Sequence, residues 1–143
     1  MSKRKQKSDS FYRCPCCGQR RRTSELTKVA EQLKVEESSL GTLRDDSRQG
    51  LDWACDPCIS QGKTLKANLK RQVFCWYGHL YYYDEKRICQ TCHQSFLFTR
   101  KEKKFWYEQL QFWIESKPNH CPECRRAIRR KKLDNTRLSE LLK

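Results

Sequence analysis

The chain has 143 residues, of which 36% are hydrophobic and 34% charged, and it carries ten cysteines. A sequence this polar argues against one large apolar core, and no run approaches the ~18 consecutive apolar residues of a membrane span. Its 31 lysines and arginines outnumber 17 acidic residues, for a formal net charge of +14, which favours a polyanionic partner.

The opening MSKRKQKSDSFYRC has no apolar segment of the kind a secretory signal needs, so a cytoplasmic, reducing compartment is expected. Residues 1–12 read as a flexible basic arm, and Lys3 to Lys7 with Arg20 to Arg22 form an N-terminal basic cluster. Leu26, Val29, Ala30 and Leu33 follow the i, i+3, i+4, i+7 rule and predict an amphipathic helix, capped by Thr23 or Ser24. SSLGTLRDDSRQG, residues 38–50, reads as a loop. DPCISQGKTLKANLKRQ, residues 56–72, predicts a helix with Pro57 in its first turn. VFCWYGHLYYYDEKRIC, residues 73–89, is rich in strand formers, and Gly78 predicts a turn between two strands. QSFLFT, residues 94–99, predicts another short strand. Thr99 and Glu102 have capping-box spacing. They open a predicted helix that ends at Pro118 and buries Phe105, Trp106, Leu110, Trp113 and Ile114.

The cysteines show a weak internal repeat. CPCCGQ, starting at Cys14, is answered by CDPC at Cys55 to Cys58; CQTCHQ, starting at Cys89, is answered by CPEC at Cys121 to Cys124. Two cysteines separated by two residues can place both sulfurs on one metal, and two such pairs close a tetrahedron with no position left for water. The spacing assigns Cys14, Cys17, Cys55 and Cys58 to one structural zinc ion, and Cys89, Cys92, Cys121 and Cys124 to a second. Iron also suits four thiolates. Two tandem modules are expected, residues 1–72 and 73–143, each stapled by metal because its core is small.

From Tyr81 to Arg126 the sequence is YYYDEKRICQTCHQSFLFTRKEKKFWYEQLQFWIESKPNHCPECRR. It resembles the probable zinc-ribbon family of small, mostly bacterial proteins. Those share an aromatic lead-in, CxxCGxxFxF, a helix with a Glu-Gln-x-aromatic segment, and a closing CPxCR. The resemblance implies a zinc-ribbon or treble-clef-like fold whose last two ligands start a helix. His93 stands where the family has glycine, and Lys103 and Lys104 fall in the region of its Glu-Gln pair. The expected fold class is a small, metal-stabilised α+β protein with short hairpins and helices.

Several residues invite further roles. Cys16 is the alternative to Cys17 in a CxC pair, but CPxCG is the better knuckle, which leaves Cys16 a free or buried thiol. Cys75 and His79 have partial zinc spacing; His93 or His120 could complete a third site only by folding back, and a strand cysteine with a surface histidine is the plainer reading. The aromatics from Phe74 to Tyr83 could stack on bases, but in a small zinc domain such residues more often form the core. The stripe of Phe105, Trp106 and Trp113 reads as core.

Arg125, Arg126, Arg129 and Arg130 recur at i, i+1, i+4 and i+5 after the last ligands, extended by Lys131 and Lys132. On a zinc-anchored helix such a stripe can track phosphates, against the plain reading of a solvated basic helix. The expected function is therefore binding of RNA, DNA or a ribonucleoprotein on a structural-zinc scaffold. The alternative is a protein-interaction adaptor using the acids at Glu31, Glu36, Glu37, Asp45 and Asp46. No nucleophile–base constellation, P-loop, HExxH or zinc-deaminase signature is present, so neither an enzyme nor a small-molecule substrate is expected.

Overall fold

The computed structural model describes residues 11–34, 51–73 and 78–143. The Lys3 to Lys7 cluster, the 38–50 loop, Cys75 with its aromatic neighbours, and four of the five acids of the adaptor reading lie outside them. The chain is α+β, built from short antiparallel hairpins and helices. Strands β1 (Phe11–Arg13) and β2 (Arg20–Arg22) pair around the first cysteine knuckle, so Arg20 to Arg22 belong to a hairpin and not to an arm. Helix α1 spans Thr27–Leu33, α2 spans Asp56–Ser60, and β3 (Thr64–Lys66) pairs with β4 (Tyr81–Tyr83). Strands β5 (Glu85–Ile88) and β6 (Ser95–Phe98) form the third hairpin, around the second knuckle. Helix α3 (Arg100–Lys104) runs into one π-helical turn, Phe105–Gln109, and α4 spans Pro122–Leu141.

The contacts divide the chain otherwise than at the expected cut between 72 and 73. One compact unit holds Met1–Asp84 with Thr99–Ser116; the other holds Glu85–Phe98 with Lys117–Lys143. The reason is visible in the first unit. There β4 pairs with β3, and α3 packs against both strands, so the aromatic strand and the helix after β6 belong with the first knuckle.

The first unit has the larger core. Leu26, Val29 and Ala30 of the predicted stripe are buried beside Tyr12, Trp53, Ala54, Leu80 and Tyr81, with Leu33 packed at the edge. Neither Thr23 nor Ser24 caps α1. Instead Asp56, at the start of α2, accepts from the backbone N–H of Thr27 (3.0 Å) and of Lys28 (2.9 Å). A carboxylate from another segment thus satisfies two of the four orphan donors of the helix start and complements its dipole. Helix α2 is shorter than expected. Gly62, at φ +72, turns the chain out of it, and residues 64–66 become a strand.

Thr99 caps α3 as its spacing predicts, its Oγ1 accepting from the Glu102 N–H at 3.1 Å. The buried face of that segment differs from the expected stripe. Lys103, Tyr107, Glu108 and Ile114 are inside, whereas Phe105 (54% exposed) and Trp113 (49%) face solvent. Charge inside is possible because it is paired: Lys103 Nζ lies 2.6 Å from Asp52 Oδ2, both side chains being buried. Glu108 accepts from the Asn68 N–H at 2.6 Å and from the Tyr82 hydroxyl at 3.2 Å, with Lys104 Nζ 3.0 Å from its other oxygen. Tyr81 and Tyr82 are buried, so the β4 aromatics serve the core and not an exposed stacking platform.

The second unit buries almost nothing apolar. Only Cys89, Phe98 and Pro118 are enclosed, and no residue of α4 is buried. Too little surface is removed from water here for a stable fold by burial alone, so the unit depends on its thiol cluster.

Candidate metal centres and the basic helix

Both knuckles close with the same backbone hydrogen bonds. In the first, Gly18 N–H donates to Cys14 O (2.7 Å) and Cys14 N–H to Gln19 O (2.9 Å). In the second, His93 N–H donates to Cys89 O (3.0 Å) and Cys89 N–H to Gln94 O (2.9 Å). Gly18 has φ +73 and His93 φ +59. The histidine therefore adopts the left-handed conformation that glycine takes at no cost, and the knuckle turn is unchanged.

The second pair of each set sits at a helix start. Cys55 precedes α2 and Cys58 lies in its first turn; Cys121 caps α4, its Sγ accepting from the Cys124 N–H at 3.4 Å. The proline in each CxPC or CPxC segment occupies the first helical turn, where its missing N–H leaves nothing unpaired.

The sulfurs of Cys14, Cys17, Cys55 and Cys58 all lie within 4.8 Å of one another, and so do those of Cys89, Cys92, Cys121 and Cys124. Sulfur separations of 3.9 Å (Cys17–Cys55), 3.5 Å (Cys55–Cys58) and 3.8 Å (Cys92–Cys121) match the roughly 3.8 Å edge of a tetrahedron with ~2.3 Å zinc–sulfur bonds. The electrostatics also call for a cation. Burial pushes Cys14 up to about 11 and Cys58 higher still, while the hydrogen bond from Cys121 leads the causes that push Cys124 up to about 12. Burial opposes ionisation of Cys17 and Cys89 as well. Backbone donors, with the Arg21 guanidinium at Cys17, overcome it and bring them down to about 7 and about 5. Each cluster thus favours some thiolate but resists four, which a dication at its centre would reverse. These residues fit two structural zinc ions, one per quartet, with no ligand position left open.

Cys16 lies outside the first quartet, partly buried beside Cys58, and burial raises its pKa. His79 is no surface residue. Its ring is fully buried, Nδ1 accepts from the Asp52 N–H at 2.9 Å, and Nε2 therefore carries the proton toward Ile114 O at 2.7 Å. Both nitrogens are committed to the fold, so His79 offers nothing to a third metal. His120 Nδ1 is 3.0 Å from Thr91 Oγ1, and His93 is exposed on its knuckle. Among the described residues no third cluster of metal-ligating side chains occurs.

Arg125, Arg126, Arg129, Arg130, Lys131 and Lys132 all lie on α4. At about 100° per residue, the four arginines share one side of the helix, Lys132 and Arg137 continue it, and Lys131 lies across from it. Arg20 and Arg22 of β2 flank the Phe11 ring, their guanidinium carbons 5.4 and 5.7 Å from its centroid. Among the described residues no helix is long and apolar enough to cross a membrane.

No curated protein and no solved structure matches the chain significantly. A family model does match over the third hairpin, the second quartet and the first half of α4, in agreement with the geometry there. Residues 83–132 are similar to the family described as a probable treble clef domain.

Proposed function

We propose that this zinc protein binds nucleic acid, RNA or DNA, free or within a ribonucleoprotein, by laying the arginine side of α4 along the phosphate backbone. The observation that carries this reading is a 20-residue helix with no buried residue, anchored at its first turn by two cysteines of a thiol quartet. Helices in water draw most of their stability from packing an apolar face, and α4 buries none of its apolar residues. Its residues include seven basic and three acidic ones, and arginine binds phosphate bidentately. A polyanion would neutralise that excess, with counterion release supplying the affinity. The proposed role is binding: His79 is held in the core by both ring nitrogens, and four thiolates would close each metal.

The direct test is fluorescence anisotropy of the zinc-loaded chain with short single-stranded RNA, duplex RNA and duplex DNA near physiological salt. The parallel sample carries alanine at Arg125, Arg126, Arg129 and Arg130. Micromolar or tighter binding by the native chain, weakened by the substitutions on every probe, supports the reading. No binding, or equal binding by the variant, removes α4 from it.

Leu138, Leu141 and Leu142 favour a second reading. They are 58, 81 and 87% exposed at the far end of α4, where a protein partner could cover them. An adaptor role would appear as a stable protein complex that survives nuclease and high salt.

A further inference from the structure

Among the described residues, a group of exposed apolar side chains in the first unit lies on a segment whose hydrophobic pattern predicts core. Phe105, Leu110, Phe112 and Trp113 are 54, 45, 40 and 49% exposed, and Leu69 is 39% exposed. Backbone hydrogen bonds fold the segment that carries the first three of them back on itself. Leu110 N–H donates to Phe105 O at 3.0 Å and Phe112 N–H to Trp106 O at 3.2 Å, so residues 110–112 fold back over the π turn. The Phe112 ring meets Trp106 edge-on at 4.6 Å, and Trp106 Nε1 donates to Ser116 Oγ at 3.1 Å, which fixes the base of the patch. Gln111 makes the bend at φ +51, a conformation disfavoured for a side chain with a Cβ, and its Nε2 donates to Arg71 O at 3.2 Å. The turn Leu69–Arg71 packs against the π turn, which brings Lys70 and Arg71 to the margin of the patch. Lys101 stands one helical turn before Phe105.

We infer that this patch stacks on the unpaired bases of single-stranded nucleic acid, with Trp113 and Phe105 as platforms. The inference rests on the nucleic-acid reading above and adds strand preference to it. Exposed aromatic rings with cations at their edge are what a single-strand site requires: each base has a π face, and each phosphate beside it needs a counter-charge. A purely apolar protein partner would not draw on the lysine and arginine rim. The acids of the segment are Glu102, Glu108 and Glu115, of which Glu108 is buried beneath Lys104 and the Tyr82 hydroxyl.

The test uses the full zinc-loaded chain with a single-stranded uridine oligonucleotide and a duplex of the same length. Zinc content and circular dichroism confirm that each variant is folded. Trp113→Leu, which keeps apolar area but removes the ring, is expected to weaken single-strand binding roughly 5- to 150-fold, the range for losing one stacked base. Trp113→Phe should retain most of the affinity, and Phe105→Ala should repeat the loss. Duplex affinity and the salt dependence should stay unchanged in all three. Single-strand binding that is equal in native, Trp113→Leu and Phe105→Ala chains overturns the stacking site while leaving α4 standing. Loss of duplex and single-strand binding only when the α4 arginines are replaced overturns it in the same way. A native chain that binds neither probe overturns both readings, and the patch then belongs to a protein partner.

Discussion

Lys103 Nζ lies 2.6 Å from Asp52 Oδ2, and the two side chains are each 1% exposed. Around this pair the first unit is tied together. Asp52 O accepts from the N–H of Leu80 (2.8 Å) and of Tyr81 (3.3 Å), its N–H reaches His79 Nδ1, and Lys103 Nζ sits 4.1 Å from the Tyr83 ring centroid. Removing one partner strands a buried charge. Lys103→Ala is expected to cost about 3–5 kcal/mol in denaturant unfolding of the zinc-loaded chain, whereas exposed Lys101→Ala should stay within about 0.5 kcal/mol. The double change Asp52→Asn with Lys103→Met should recover most of the loss, because no uncompensated charge remains. A Lys103→Ala chain as stable as the native one would show that the pair does not hold the unit.

The two quartets make a stoichiometric prediction. The native chain should carry two zinc ions, and Cys58→Ser or Cys124→Ser one each. Cys16→Ser should keep both, since Cys16 stands outside the cluster. Metal quantitation after unfolding decides this. Chelation should also unfold the second unit, seen as loss of helical signal from α4, because that unit has so little buried apolar surface. A Cys16→Ser chain with one zinc ion would move the ligand from Cys17 to Cys16.

The matched knuckles predict opposite effects of matched substitutions. His93→Gly relieves a left-handed residue and should stabilise the second site by about 1 kcal/mol, read as slower zinc transfer to a chelator. Gly18→Ala should destabilise the first site by about 1–2 kcal/mol through the backbone alone, since nothing lies within 4 Å of where its Cβ would be. Equal chelation rates for native and His93→Gly chains would contradict a strained knuckle.

Asp56 links the second CxxC of the first quartet to α1. Asp56→Ala leaves the N–H groups of Thr27 and Lys28 unpaired and should cost about 1–2 kcal/mol, with faster amide exchange localised to the first turn of α1. Asp56→Asn, which keeps an acceptor, should cost less. Unchanged exchange at those two amides would mean that the cap contributes nothing.

The sequence made the metal chemistry legible and the packing only in part. CxxC spacing is local, so both quartets and the helical turn at Pro57 could be read directly, while the helix start after Cys121 came with the family resemblance. So could the Leu26 to Leu33 stripe and the Thr99 cap, which depend on neighbours within a few residues. The segment after Thr99 could not. Hydrophobicity placed Phe105 and Trp113 inside, but the buried positions are Lys103 and Tyr107, chosen by a carboxylate some fifty residues away at Asp52. The π turn, closed by Leu110 N–H to Phe105 O, ends the helix at Gln109 instead of Pro118, and Gln111 at φ +51 then bends the chain, so Trp113 and Ile114 follow no helical repeat. The burial of His79 was not legible for the same reason: its partners, the Asp52 N–H and Ile114 O, are backbone groups distant in sequence and leave no pattern.

Phosphate contacts by α4 would show in the slope of log K against log salt. Affinity for duplex DNA is measured from low to physiological salt for the native chain and for the variant with alanine at Arg125, Arg126, Arg129 and Arg130. If each arginine neutralises one phosphate, the slope should become shallower by roughly 3 to 4 in the variant. Parallel slopes for the two proteins would contradict these contacts, because the four guanidinium groups would then displace no counterions.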